Sequence, residues 1–206
     1  MQCRVKRSAA TVCAALLFCS SASALAGSAT TQLRQTVDQL VLIIGDSALG
    51  SESRTHERRE KLRKAISPRF DFLEMAMRSL GSYWQERSAV EKKEFVSLFT
   101  ELLETAYVGT IESYRGEKVH YINEREEGKL ATVNTRIVLG DRKSVSVNYR
   151  MRDVDGDWKV YDVIVDDISL VNNYRSQFSR VLARSSFAEL LATMKDKKTG
   201  TTERRS

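Results

Sequence analysis

Two hydrophobic periods divide the chain into a helical part and a sheet part. Up to about residue 111, apolar positions recur every three or four residues, which is the spacing of one helix face. This pattern predicts four helices, over about residues 30–46, 54–65, 70–80 and 88–111. The last has the widest apolar stripe, about two residues per turn, so we expect it to be covered along most of its length.

Local signals support the boundaries of these helices. Pro68 pushes the preceding residue away from helical geometry, so it separates the second helix from the third. Gly81 suits a C-terminal cap of the third helix. Ser88 and Glu91 form the capping-box pattern that begins the fourth.

After Gly116 the apolar period shortens to two, which is typical of strands with one buried face. The alternation predicts strands over about residues 131–139, 145–151 and 158–168, with a weaker one at 119–123. Asp155-Gly156 is a hairpin signal between two of them. The 158–168 segment is partly apolar on both faces, which predicts a central strand.

Helical spacing returns from Ser169 to Leu182 and again over about residues 187–194. Helices, then an antiparallel meander, then helices predict an α+β fold with a sheet of about four strands.

Residues 1–26 have the layout of a cleavable secretory signal peptide. Three cations precede a short apolar run, and Ala24-Leu25-Ala26 supplies the small-residue cleavage pattern. The run is shorter than a membrane span requires. We therefore expect export to the periplasm and cleavage near Ala26, with an uncleaved anchor or lipid attachment at Cys19 as alternatives.

Cysteine and charge usage narrow the function classes. All three cysteines lie within residues 1–26, so the mature chain contains no thiol for a disulfide or a metal. The formal charge of +6 includes three cations of that segment, and residues 195–206 add five cations against two acids. Residues 27–194 carry 25 charges of each sign. This argues against nucleic-acid binding, because such proteins concentrate positive charge on a folded face.

The same distribution suggests the domain organisation. We expect one folded domain over residues 27–194. We expect a basic, disordered tail over residues 195–206.

One segment is similar to the opening block of the Gly-Asp-Ser lipases. Gly45-Asp46-Ser47 follows an apolar run, and the serine of such enzymes needs a histidine base oriented by an acid. The late Asp-x-x-His pair of those enzymes is missing here, and the helical spacing before Gly45 favours a helix-ending turn. A Ser47-dependent lipase or esterase remains the enzymatic alternative.

Other candidate chemistry is sparse. His56 and His120 are the only histidines, which disfavours a zinc site. Residues 153–157 hold three aspartates, but Ile164 stands where a calcium loop needs its final Glu, so a hairpin turn is the better interpretation. Asp162 in an apolar strand is interpreted as a structural carboxylate, with a cavity acid–base catalyst as the alternative. The sequence thus predicts no catalytic residue, metal or cofactor.

A family pattern runs from the third helix to the C-terminal helices. Its most specific block is Asn173–Phe178, which follows Ile168–Val171. Supporting matches in the same order are Arg69–Phe72, Met75-Ala76, Leu80-Gly81, Trp84, Glu94-Phe95, Leu102-Leu103, Tyr114, Gly116–Val119, Val147–Arg150 and Asp157–Val163. Over about residues 30–195 the chain resembles the MlaC family, also called the toluene-tolerance or ABC-transporter auxiliary family. Asp166-Asp167 and Ser185-Ser186 depart from the family pattern.

This resemblance implies a periplasmic carrier of phospholipid. The family shuttles lipid between an outer-membrane lipoprotein–porin complex and an inner-membrane ABC transporter with an MCE-domain protein, which supports outer-membrane asymmetry and solvent tolerance. It implies a twisted antiparallel sheet packed by helices around an apolar cavity, and no enzymatic activity. A hopanoid-associated carrier of the same family and a structural adapter with an ordinary core are the alternatives.

We expect the cavity to be lined by alternate strand residues and by the helices that face them. The expected lipid-binding residues are Phe72, Met75, Phe99, Leu103, Tyr107, Val145, Val147, Tyr149, Met151, Val163 and Val165. We expect a monomer whose partners are phospholipid and the two membrane complexes.

Overall fold

The computed structural model describes the backbone of residues 28–139 and 143–203, and the side chains of residues 28–139 and 143–196. The predicted signal peptide, its cleavage site and the cysteines lie outside the described residues. So does the end of the predicted tail, residues 204–206.

Within the described residues, six α-helices and five strands form an α+β fold, which confirms the predicted fold class. The helices are α1 (Ala29–Gly45), α2 (Thr55–Ile66), α3 (Phe72–Leu80), α4 (Ala89–Glu112), α5 (Leu170–Leu182) and α6 (Phe187–Glu203). The strands are β1 (Lys118–Glu127), β2 (Leu130–Leu139), β3 (Lys143–Val154), β4 (Asp157–Val165) and β5 (Ile168–Ser169). Short 3-10 turns occupy Ser47–Leu49, Glu52–Arg54 and Gly81–Trp84.

Side-chain caps fix where the helices begin and end. The Ser88 hydroxyl accepts from the Glu91 amide, and the Glu91 carboxylate accepts from the Ser88 amide at 2.8 Å, so the predicted capping box is confirmed. Gly81 ends α3 with a φ of 64°, in the left-handed region that favours glycine. Ser169 caps α5 by accepting from the Asn172 amide at 3.1 Å.

The sheet is an antiparallel meander with the strands in sequence order. Asp155 and Gly156 have φ values of 54° and 88°, which suits the two-residue hairpin turn predicted between β3 and β4. Irregularities in the register lie between Tyr121 and Asn123 in β1 and beside Arg150 in β3.

The predicted end of the strand at 158–168 is wrong. The strand ends at Val165, because Asp166 and Asp167 take positive φ values of 45° and 65° and turn the chain into β5. The strand lies inside the sheet, with partners on both edges, as the prediction of a central strand requires. Beyond β3, its other edge pairs with the two residues of β5 and forms a parallel bridge between Val160 and Phe70.

Helix α6 extends as far as Glu203, into the segment for which the sequence predicts a basic tail. Met194 is buried against the helical core, and Lys195 makes an ion pair with Glu94 of α4 at 2.6 Å. These contacts extend the helix beyond residue 194.

Two apolar cores hold the fold. In the helical core, α3, α4, α5 and α6 pack around four aromatic rings whose neighbouring centroids lie 5.4–6.0 Å apart. These rings are Phe95, Phe99, Tyr174 and Phe178. In the sheet core, the first turns of α1 pack on one end of the sheet through Ala29, Leu33, Ala131, Val133, Met151, Trp158 and Val160.

Candidate functional site

A large cavity lies between one face of the sheet and helices α1, α2 and α4, and its volume is about 1470 Å³. It continues the sheet core: the same face of the sheet that packs on α1 at one end lines the cavity at the other. We call this face the inner face and the cavity the sheet–helix cavity.

The strand register explains the sheet wall of this cavity. Ile137 of β2 pairs with Val145 of β3, Val147 pairs with Val165 of β4, and Tyr149 pairs with Val163. Directly paired residues project from the same face of a sheet. Alternation over three strands therefore gives a continuous apolar wall.

Most of the helical wall comes from the apolar stripes of three helices. The α1 contribution includes Val37, Leu40, Val41 and Ile44; α2 contributes Leu62 and Ile66; α4 contributes Leu103, Tyr107, Val108 and Ile111. The wide apolar stripe of α4 thus has two environments. Phe95 and Phe99 are fully buried in the helical core, while residues nearer the C-terminus of α4 face the cavity.

Tyrosine hydroxyls supply polar groups in the interior. Burial raises the pKa of the Tyr149 hydroxyl well above its ordinary value, with a smaller contribution from Tyr121. Burial also raises the pKa of Tyr107, which hydrogen-bonds with Tyr174, and raises that of Tyr174 to about 12. These groups stay neutral at physiological pH, so they add no charge to the cavity.

Charged residues of the wall are concentrated where α2 faces α4. Arg59 binds Glu112 at 2.9 Å, and Arg63 binds Glu104 at 2.8 Å. Burial alone would raise the pKa of the Glu112 carboxyl, but hydrogen bonds from Arg59 and Arg58 outweigh it and hold that pKa below its ordinary value. This rim therefore remains ionised, unlike the tyrosines inside.

Nine of the eleven residues predicted for the site line the cavity. They are Phe72, Met75, Leu103, Tyr107, Val145, Val147, Tyr149, Val163 and Val165. The other two do not. Phe99 is enclosed by Tyr174 and Phe178 in the helical core, and Met151 lies at the packed end of the inner face with Val133.

The sequence pattern did not identify the wall formed by α1 and α2. The stripe of α1 was visible as an amphipathic helix, but nothing in it distinguishes a helix that covers a cavity from one that packs on a core. Leu62 and Ile66 of α2 also line the cavity, but they lie in or next to a strongly charged segment whose pattern predicts an exposed helix. Only the placement of both helices over the sheet identifies them.

Ser47 and Asp162, the candidates for a catalytic role, lie in a helix-ending turn and beside the start of a helix, respectively. Ser47 follows helix α1 rather than a strand, as the helix-ending interpretation requires, and no hydrogen bond joins it to His56 or His120 in the described part of the chain. Asp162 is 2% exposed and accepts from the Ser169 hydroxyl at 2.7 Å and the Val171 amide at 3.1 Å. It thus secures the start of α5.

Among the described side chains, no three metal-ligating groups cluster closely enough to hold a metal ion. Among the same residues, no helix has the length and apolar character needed to cross a membrane.

Comparisons with known proteins agree with this geometry. The family model described as MlaC protein matches residues 34–196. A curated relative, the intermembrane phospholipid transport system binding protein MlaC of Haemophilus influenzae, is 26% identical over 120 residues. The match covers 56% of this chain, and the chain spans only about half of that relative's length, 56%.

A solved structure has a similar fold. It is that of the phospholipid-binding protein from Ralstonia solanacearum in complex with a phospholipid. The TM-score is 0.75 at 22% sequence identity, and the match covers 85% of this chain and 99% of that chain.

Proposed function

Because the chain belongs to the MlaC protein family, we propose that it is a periplasmic lipid carrier that holds the acyl tails of a phospholipid in the sheet–helix cavity. The observation that carries this proposal is the cavity itself, with a volume of about 1470 Å³ and apolar walls from four strands and five helices. The phospholipid named for the Ralstonia solanacearum protein of similar fold supports the same ligand class.

The energetics of lipid tails require such a cavity. Two tails contain about 30 methylenes, and exposing each to water costs about 0.8 kcal/mol, or about 24 kcal/mol in total. A protein that carries a lipid through water must remove most of that surface from solvent. Neutral tyrosines and aliphatic side chains do so without burying an unpaired charge, which would be costly.

The volume also suits one phospholipid. An engineered apolar cavity of about 150 Å³ holds benzene, which corresponds to about 25 Å³ per carbon. By that measure a cavity of about 1470 Å³ accepts about 59 carbon-sized atoms. Two tails use about half of this space, and the remainder admits the glycerol and phosphate groups near the charged rim.

We assign tail contacts to the nine predicted residues that line the cavity, together with Leu40, Ile44, Leu62 and Ile66 of the wall from α1 and α2. The head group lies toward the charged residues between α2 and α4. No residue has a catalytic role in this account.

The proposed setting is the periplasm, with residues 1–26 as a removed signal peptide and residues 27–194 as a single lipid-binding domain. The proposed partners are the inner-membrane MCE-domain ABC transporter and the outer-membrane lipoprotein–porin complex, between which the monomeric carrier moves lipid. A hopanoid-associated carrier differs from this account only in the lipid class.

Transfer of a labelled lipid tests the carrier function. Donor vesicles with radiolabelled phosphatidylcholine are incubated with the protein, which is re-isolated and mixed with unlabelled acceptor vesicles. We expect label to leave the donor with the protein and to reach the acceptor in proportion to protein concentration. Transfer no faster than without protein would contradict the proposal. Ser47→Ala is expected to transfer lipid like the wild type, whereas ester cleavage lost in that variant would favour the lipase.

A further inference from the structure

We propose that the seam between α2 and α4 is the portal through which lipid enters and leaves, and that Glu112 and Glu104 hold it closed as an ion-pair clasp. This inference rests on the proposed carrier function, since a portal matters only if the cavity exchanges its contents. It assigns a gating role to five charged residues of α2 and α4 next to the cavity.

The first observation is that α4 and α2 pack against different parts of the fold. The helical core includes Phe95, Leu98, Phe99 and Leu103 of α4, and it includes no residue of α2 among the described side chains. Helix α2 instead packs on α1 and on the 3-10 turns before it. Helix α2 thus packs on α1, whereas the polar side-chain contacts that join it to α4 are those between its arginines and Glu104 and Glu112.

The second observation is the geometry of these polar contacts. The Glu112 carboxylate accepts from Arg58 Nη2 and Arg59 Nη2, each at 2.9 Å, and from Arg58 Nε at 3.1 Å. Arg63 Nε donates to Glu104 Oε2 at 2.8 Å. Glu104 and Glu112 are eight residues apart, or about 12 Å along α4, so the clasp spans about two turns of α4 and a little more than one turn of α2.

The third observation is what the clasp separates. Arg59 lines the sheet–helix cavity, while Arg58 and Glu112 line a second hollow of about 540 Å³. Val41, Ile44 and Tyr114 line both hollows. The Arg58–Glu112–Arg59 contact is therefore a polar partition, and its release would join the two spaces and open the cavity along α4.

The physical consequence is a gate whose closure depends on charge. Opening the seam hydrates the paired carboxylate and guanidinium groups, whereas separating a packed apolar interface exposes its whole area to water. We therefore expect α2 to separate from the rest of the fold at the ion-paired seam with α4. The aliphatic residues beside it, Leu62 and Ile66 on α2 and Ile111 on α4, would offer tails an apolar path through the opening.

Exchange kinetics test the clasp. The full chain is loaded with pyrene-labelled phosphatidylcholine, and release into neutral phosphatidylcholine vesicles is followed for the wild type, Glu112→Gln and Glu104→Gln/Glu112→Gln. We expect release to be about threefold to tenfold faster in the double variant and intermediate in the single one. Glu57→Gln is the matched control, because Glu57 pairs with Arg54 at 2.7 Å and Lys61 at 3.3 Å without touching α4.

A covalent closure tests the same portal from the other direction. Arg59→Cys/Glu112→Cys is prepared in a chain with Cys3, Cys13 and Cys19 replaced by serine, loaded with the pyrene lipid, and joined with a short bis-maleimide. We expect release to fall at least tenfold in the cross-linked protein, and not in protein blocked with a monofunctional maleimide.

The outcomes separate the two proposals. Wild-type protein that takes up no pyrene lipid would contradict the carrier function, and the portal with it. Protein that takes up lipid, yet releases it at the same rate with the clasp removed and with the seam cross-linked, would overturn the portal alone.

Discussion

The inner face of the sheet is packed at one end and open at the other, although the same strands form both ends. On β2, Val133 is fully buried, whereas Leu139, on the same face, is 42% exposed. On β4, Val160 is fully buried and Val165 is 40% exposed. The difference lies in what faces each end: the first turns of α1 at one, and the sheet–helix cavity at the other.

Helix α1 creates this difference along its own length. Ala29 and Leu33 are buried on the sheet, while Leu40 and Ile44 line the cavity. Arg69 secures the packed end by donating to Gln32 of α1 at 2.7 Å and to Asp157 of β4 at 2.8 Å. One amphipathic stripe thus serves as core at its start and as cavity wall at its end.

Side-chain truncation should give the largest difference in stability between the packed and the open end of the inner face. Met151→Ala at the packed end leaves a cavity among fully buried neighbours and should lower the free energy of unfolding by about 2–5 kcal/mol. Val145→Ala at the open end removes atoms that already face empty space, so lipid-free protein should lose less than about 1 kcal/mol. Urea unfolding of lipid-free protein measures both. Equal losses would mean that the two ends are packed alike.

Enlarging a side chain should also affect the two ends of the inner face differently, and both substitutions can be made on β2. Val133→Phe overfills the packed end and should destabilise lipid-free protein by about 1–3 kcal/mol. Ile137→Phe, four residues further along the same face of β2, extends into the sheet–helix cavity and should be nearly neutral. The same urea titration compares them. Destabilisation by Ile137→Phe as large as that by Val133→Phe would argue against an open cavity.

A charge at the open end should act on lipid rather than on folding. Val145→Asp places a carboxylate among the proposed tails, so the dissociation constant for pyrene-labelled phosphatidylcholine should rise about tenfold or more. Ser144→Asp is the control, because the neighbouring side chain projects from the opposite face of β3. If a folded Val145→Asp variant binds lipid as tightly as Ser144→Asp, the tails do not contact this wall.

These contrasts explain how much the sequence could predict. Alternation along β2 and β3 identifies which residues share a face, and the caps at Ser88 and Gly81 locate the helix ends. Alternation is the same in a packed and an unpacked region, so Met151 and Val145 look equivalent in sequence. Met151 is packed and Val145 faces the cavity, because α1 covers only one end of the sheet. That difference depends on where α1 lies in the tertiary structure.

The same reasoning applies to Phe99 and to the end of β4. Phe99 shares the stripe of Leu103, yet the rings of α5 enclose it, and those contacts are distant in sequence. The break after Val165 depends on two aspartates with positive φ values, which an apolar pattern on both faces concealed. The family resemblance predicted an apolar cavity, and the structure shows which residues line it.

Acidification should produce the smallest of the expected effects, and it concerns the ion-paired rim of the open end. Because the folded pKa of Glu112 lies below its ordinary value of 4.5, its contribution to stability is present above that pH and is lost as the pH falls through the lowered value. The free energy of unfolding should therefore decline less below pH 4.5 in Glu112→Gln than in the wild type. Asp157, whose pKa is also lowered by Lys159 and Arg69 against the effect of burial, titrates in both proteins and cancels in this comparison.

Native mass spectrometry of the purified protein, followed by extraction and identification of what it carries, tests the central claim most directly. If the open end of the inner face holds lipid tails, the protein should retain a species with the mass of one phospholipid, which Val145→Asp loses and Ser144→Asp retains. Wild-type protein that stays lipid-free after expression and after incubation with phospholipid vesicles would contradict the account.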